Sequence, residues 1–294
     1  GQFNVALGYS ALENNTTASF NTAVGYKAGL ANTTGIGITA IGSDVLSANT
    51  TGNANVAIGG TWTGNIEGAL RYNTTGNYNT AMGVGALSFN TTASNNTAVG
   101  YKSGYANTAT DNTSVGFLSL AATTSGNYNT ALGSRALQAN TTANENTAVG
   151  YQSAYSNTTG IRNVSLGKGA GYNTTTSNDN TSVGTVALFS NTTGATNTAL
   201  GAFSLYSNTT ASSNTAVGYQ ALYDNTTGQN NTIVGRSAGA NLTTANNNTF
   251  IGKGAGETVT TGAKNTIVGL FNGNQDGLDI RTSSNNIVLS DGDG

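Results

Sequence analysis

The sequence predicts an all-β repeat solenoid, a parallel β-roll or β-helix built from coils of about 17 residues. Three observations lead there. A glycine returns at one column sixteen times, from Gly8 to Gly269; the residue before it is aliphatic in every copy; and the residue that opens the copy is asparagine in fifteen of sixteen. Disorder is the plain alternative for so biased a composition, but disorder needs no fixed interval.

The unit reads Asn-Thr-Ala-Val-Gly-Tyr-x-Ala-Leu-x-x-Asn-Thr-Thr-x-x-x. It opens at Asn4, Asn21, Ile38 and Asn55, resumes at Asn79 after a 24-residue step, shortens once to 16 residues between Asn96 and Asn112, and runs on to Asn265; a worn copy starts at Asn286. Column one, with Asn21, Asn96, Asn146 and Asn214, suits left-handed corners, and its amide can bond the same amide one coil away. Column two is always Thr or Val, which favours a strand. Column three is Ala or Ser in thirteen copies, implying close approach of another backbone. Column four (Val24, Val99, Val149, Val217) is the dependable aliphatic and the expected core seam. Column five (Gly25, Gly100, Gly150, Gly218) marks a positive-φ turn or a tight contact. Columns eight and nine read as a small-residue bend, and the following Asn-Thr-Thr as a polar turn. The shaft is thus expected over 1–274, with an insertion at 60–68, and 275–294 as a separate C-terminal segment. Stacking sixteen such coils would give a rod roughly 75–80 Å long.

Two aliphatics for seventeen residues make a thin core. A homotrimer is therefore expected, with the small residues of columns three and eight letting chains share one core. In the last copies column three becomes Ile233, Phe250 and Ile267, so a more tightly locked C-terminal end is expected.

Composition bounds the function. Charged residues are 7% and the net charge is −2 with no basic patch, which argues against nucleic acid. No apolar run approaches the roughly 20 residues of a membrane span, and the start carries no signal-peptide pattern and no Met, so a fragment or processed product is expected. With no Cys and no His, disulfides, thiolate metal sites and the commonest general base are absent, and no cofactor or metal is expected. Glu13, Glu67, Glu145 and Glu257 are scattered, so the chain is expected not to be an enzyme. Asp276, Asp279, Asp291 and Asp293 lack the spacing of a calcium loop and read as solvated turn acids.

The insert holds the only tryptophan, Trp62, with Glu67 inside it and Arg71 and Tyr72 just after it. Insertions in solenoids project from one face, which makes these four the candidate ligand-binding residues; a tolerated surface loop is the plainer reading. Tyrosines recur at column six (Tyr9, Tyr26, Tyr101, Tyr151, Tyr219) and column ten (Tyr105, Tyr155, Tyr206, Tyr223), as a glycan-gripping stripe or, more plainly, as a cover for the core with hydroxyls facing water. Stacked Thr-Thr turns leave an ice-binding solenoid as a further alternative.

Residues 21–29, Asn-Thr-Ala-Val-Gly-Tyr-Lys-Ala-Gly, and 214–222, Asn-Thr-Ala-Val-Gly-Tyr-Gln-Ala-Leu, resemble the repeats of marine and cyanobacterial phage tail fibres. They are also similar to the head repeats of trimeric autotransporter adhesins, whose coil is shorter, near fourteen residues. The tail from Leu278 through Asn286-Ile287-Val288-Leu289 to Gly294 resembles a segment that in such phage fibres precedes a tip or a cleaved chaperone. The resemblance implies a homotrimeric, extracellular virion fibre that gives reach and recognises a host cell-surface glycan or protein. The alternative it leaves open is a bacterial surface adhesin or extracellular filament.

Overall fold

A computed structural model describes residues 1–60 and 67–291 and shows a parallel β-solenoid of about sixteen turns with no helix among the described residues. The chain divides into two compact units, Gly1–Asn146 and Thr147–Gly294. Each unit repeats one coil: a three-residue strand at columns two to four, then a series of turns. In the first unit the strands run from Val5–Leu7 to Thr130–Leu132, each parallel to the next with identical columns opposite, as in Thr22↔Thr39 and Thr113↔Thr130. In the second they run from Thr147–Val149 to Thr266–Val268, and Ile287–Leu289 adds one more in the same register, so columns resume beyond residue 274. The irregular steps leave the register intact: Val56 still faces Thr80 and Thr97 still faces Thr113.

The strands are short because Gly ends each one. At Gly218 φ is +135°, and a Cβ there would lie 2.5 Å from the carbonyl oxygen of Gly235 in the next coil. Only glycine combines that backbone with such an approach. Columns seven, nine and seventeen form further left-handed corners, mostly without glycine: Gln220 (φ 53°), Leu222 (φ 54°) and Ser213 (φ 62°) serve one coil. Such corners cost about 1–2 kcal/mol each. Leu222 recovers its share by complete burial.

The direction of the strand side chains corrects the expected core seam. Column three points into the coil: Ala23, Ala98, Ala148 and Ala216 are wholly buried. Column four therefore points out, because side chains alternate along a strand. Val24, Val99 and Val217 are only half-buried and Val149 is exposed, so these valines are not the core. The interior is filled instead by column-three and column-eight alanines and serines and by column-nine leucines such as Leu46, Leu70, Leu188 and Leu222. Columns three and eight consequently close each coil on itself, and their side chains are not available to a core shared between chains.

Asparagine supplies the rest of the interior. Asn21, Asn96, Asn146 and Asn214 are all buried. The Asn214 backbone N–H donates to the Asn197 side-chain oxygen (3.0 Å), its own side-chain oxygen accepts from the Asn231 N–H (3.0 Å), and its amide N–H donates to the Gly228 carbonyl (2.9 Å). A second ladder stands at column twelve, where Asn225 donates to the Asn208 side chain (2.9 Å) and to the same Gly228 carbonyl (3.0 Å). An amide offers a donor and an acceptor in one plane, so it satisfies a buried backbone and hands an acceptor to the next coil. These buried amides give the asparagines of the Asn-Thr pairs a structural role.

At the C-terminal coils the second ladder gives way to Leu242 and Val259, and Ile233, Phe250, Ile267, Phe271 and Ile280 join one apolar cluster. The volume is accommodated locally. Phe250 occupies space that Gly239 and Gly256 leave open, and a Cβ on either glycine would press on its ring.

Candidate functional site

The 24-residue step has its extra residues between column five, Gly59, and column eight, Ala69, after the strand Val56–Ile58. Trp62 lies outside the described residues. Of the other three candidates, Arg71 and Tyr72 stand side by side at columns ten and eleven, and Glu67 joins them through Tyr105. Glu67 accepts a hydrogen bond from the Tyr105 hydroxyl at 2.8 Å. Tyr72 stacks on Phe89 (5.3 Å between centroids, 28°), and Phe89 meets Tyr105 edge-on (4.9 Å, 86°). The Arg71 guanidinium lies 5.4 Å from the Tyr72 ring, and the Lys102 ammonium 4.5 Å from that of Tyr105. Such cation–ring contacts hold each cation beside an apolar surface at small cost in hydration.

Sequence reasoning named Glu67, Arg71 and Tyr72 but missed Phe89, Lys102 and Tyr105 as their partners. The signal was present: aromatics fall at column ten or eleven in three consecutive copies. Together the six residues make a surface patch with an acid, two cations and three rings, whose polar groups can meet a polar ligand while the stacked ring faces are already occupied.

Burial, and after it the hydrogen bond to Glu67, pushes the Tyr105 phenol up to about 12. The unfolded phenol loses its proton near 10, so between pH 10 and 12 the folded state binds more protons and stability falls as pH rises. Tyr105→Phe is expected to lower stability near pH 7 by about 1 kcal/mol, somewhat less than a bond to a charged group contributes when buried, because the site is partly exposed. The same variant should lose part of the alkaline decline between pH 10 and 12, when its urea denaturation is compared with that of the native chain.

The column-six tyrosines are exposed, Tyr9 at 72% and Tyr219 at 45%. The column-ten tyrosines of the second unit are half-buried and stack face to face in one series, Tyr155, Tyr172, Phe189, Tyr206 and Tyr223, with centroids 5.1, 5.1, 5.4 and 5.1 Å apart. Stacking covers the faces a sugar would need, so within the series only edges and hydroxyls remain for solvent. Near the C-terminus, a hairpin pairs Asn274–Gln275 with Leu278–Asp279 beside a cleft lined by Arg236, Lys253 and Glu257. Asp279 is paired with Arg281 at 2.7 Å, and the charge-assisted bond from that guanidinium holds its carboxyl down at about 2. No cluster of three or more metal-ligating side chains stands among the described residues.

No family model, curated protein or solved structure matches this chain.

Proposed function

We propose that the chain is a shaft segment of an extracellular fibre, in keeping with the phage tail-fibre repeats it resembles, that assembles as a homotrimer and gives reach and contact with a host cell-surface glycan or protein. The observation that carries this reading is column four. It is aliphatic in all sixteen copies, yet it faces outward, with Leu200 45%, Ile251 43% and Val268 39% exposed. Column six also faces outward and varies freely, through Tyr151, Lys168, Thr185, Ala202 and Arg236. A surface row that stays apolar where its neighbour does not supports burial against another molecule. A second copy of the chain carries the same row at the same coil spacing, so every coil finds a matching partner. Trimerisation then needs no shared interior: each coil is already closed, and the chains meet through their outer sheet faces. In this arrangement the insert-side patch of Glu67, Arg71, Tyr72 and Tyr105 is the surface offered to a receptor.

Sedimentation velocity tests this. The native chain is expected to run as a trimer, and Leu200→Glu, Val217→Glu and Val234→Glu combined as a folded monomer with an unchanged circular dichroism spectrum. The exposed column-fourteen substitutions Thr193→Glu, Thr210→Glu and Thr227→Glu should leave the trimer intact. A native chain that stays monomeric at micromolar concentration would refute the proposal.

One observation favours ice binding as a second reading: column fourteen is a row of exposed threonines, among them Thr193, Thr210, Thr227 and Thr244. The adjacent column-thirteen hydroxyls donate to backbone instead, Thr192 to the Thr209 carbonyl and Thr209 to the Thr226 carbonyl, both at 3.1 Å. A single free row is a poor match to a two-dimensional lattice. Absence of thermal hysteresis would dispose of this reading.

A further inference from the structure

We infer that the aromatic column of the second unit is a site of oxidative cross-linking, where Tyr155 with Tyr172, and Tyr206 with Tyr223, each couple into a dityrosine bridge between neighbouring coils. The rings of the first pair lie 5.1 Å apart at 7°, those of the second 5.1 Å apart at 6°. Successive coils repeat the same backbone in register, so each ring carbon stands over its equivalent, and the carbons beside the two hydroxyl-bearing positions face each other at about the ring spacing. The rings stand on neighbouring coils of one chain and are half-buried, so their encounter is intramolecular and needs only that they tilt toward each other, which favours it over coupling between chains. Phe189 sits between the pairs, stacked at 5.1 and 5.4 Å, and has no phenol to oxidise. It divides the column into two bridge-forming halves.

The chemistry balances. A one-electron oxidant of the peroxide class removes an electron from each phenol, and each phenol releases its proton. The two phenoxyl radicals join through their ortho carbons in a new C–C bond. Each of those carbons then loses its hydrogen as a proton while the phenolic oxygen is reprotonated. Per bridge, two electrons pass to the oxidant and two protons to water. Burial, followed by the neighbouring Tyr206, pushes the Tyr223 phenol above its ordinary range. At neutral pH it is therefore the neutral phenol that reacts and gives up its proton with the electron. The product is a covalent tie across two coils that are otherwise joined by hydrogen bonds such as Leu205 N–H to the Ala221 carbonyl (3.0 Å). By contrast Tyr78 and Tyr128 of the first unit are 65% and 63% exposed and stand outside any such column.

The test uses the full chain at high dilution, oxidised by persulfate with photoexcited tris(bipyridyl)ruthenium and digested with trypsin. Arg135, Arg162, Lys168 and Arg236 bound the informative peptides: 136–162 carries Tyr155 and 169–236 carries Tyr172. A joined pair of these peptides, lighter by two hydrogens than their sum and located by fragmentation at Tyr155 and Tyr172, is the expected result. Tyr172→Phe should abolish it while the Tyr206–Tyr223 link persists within 169–236. Phe189→Tyr, which completes the phenol column, should add links through residue 189. The inference is overturned if the same links form as readily in chain unfolded in urea, if Tyr155 couples mainly to other tyrosines, or if only links between molecules through Tyr78 and Tyr128 appear.

Discussion

Gly218→Ala is expected to destabilise the second unit by about 3–5 kcal/mol, from strain at a φ near +135° together with a backbone clash. The added methyl would lie 2.5 Å from the Gly235 oxygen, and neither atom belongs to a flexible side chain that can move aside. The coils must part at that point. The bond from Gly235 N–H to the Val217 carbonyl (2.8 Å), which crosses that junction, lengthens with them. A solenoid is held by nearest-neighbour contacts, so weakening one junction lowers the cooperativity across it as well as the stability. Differential scanning calorimetry should show a lower and broader transition for the variant. Thr227→Ala, at an exposed column of the same coil, should change stability by no more than about 0.5 kcal/mol. A Gly218→Ala transition that overlays the native one would show that the coils tolerate a Cβ at column five.

The same glycine shows what could be read from the sequence. Its return at one column fixed the coil length, the strand position and the register, and the structure keeps column two opposite column two, Val56 with Thr80 and Thr97 with Thr113, and Gly beside Gly through both irregular steps. The side of the sheet that faces inward could not be read so directly. In a three-residue strand, Thr215-Ala216-Val217, hydrophobicity alone puts valine inside. Size decides otherwise: the coil is narrow, Leu222 already occupies it, and the opposite wall has room for a methyl group at Ala216. Valine is left on the outer face, where a lone chain gives it no partner. The correlation between columns shows the same constraint, since the bulky Ile233 and Phe250 share their coils with Gly239 and Gly256. The insert-side patch was half legible for a related reason. Glu67, Arg71 and Tyr72 lie close in sequence to the insertion, whereas Phe89 and Tyr105 come from the next two coils and join them only once the register is known. Tyrosines at column ten were legible as a stripe, but their face-to-face stacking follows from the coil spacing and removes the sugar-gripping reading for the interior rings.

Asn214→Asp tests whether hydrogen bonding, not packing, holds the buried asparagine column together. The substitution conserves shape. It leaves one oxygen to accept from the Asn231 backbone N–H (3.0 Å) and side-chain amide (3.1 Å), as the native oxygen does. The other oxygen replaces the N–H group that donates to the Gly228 carbonyl, so two acceptors now face each other at about 2.9 Å in a fully buried site. A charged carboxylate there has no cation to pair with, and about 3–5 kcal/mol of stability is expected to be lost at pH 7. Protonation changes the sign of the contact: the neutral acid donates its O–H to Gly228 and restores the native pattern. Its folded-state pKa must then lie above the unfolded value of about 3.9. The stabilising protonated form is fully present below that value, and stability is lost as pH rises through the folded pKa. Subtracting the native chain's own pH profile from the variant's should therefore give a deficit that is small near pH 3.5 and grows towards neutrality. A deficit of the same size at both pH values would instead assign the cost to packing and deny the amide column its part in joining one coil to the next.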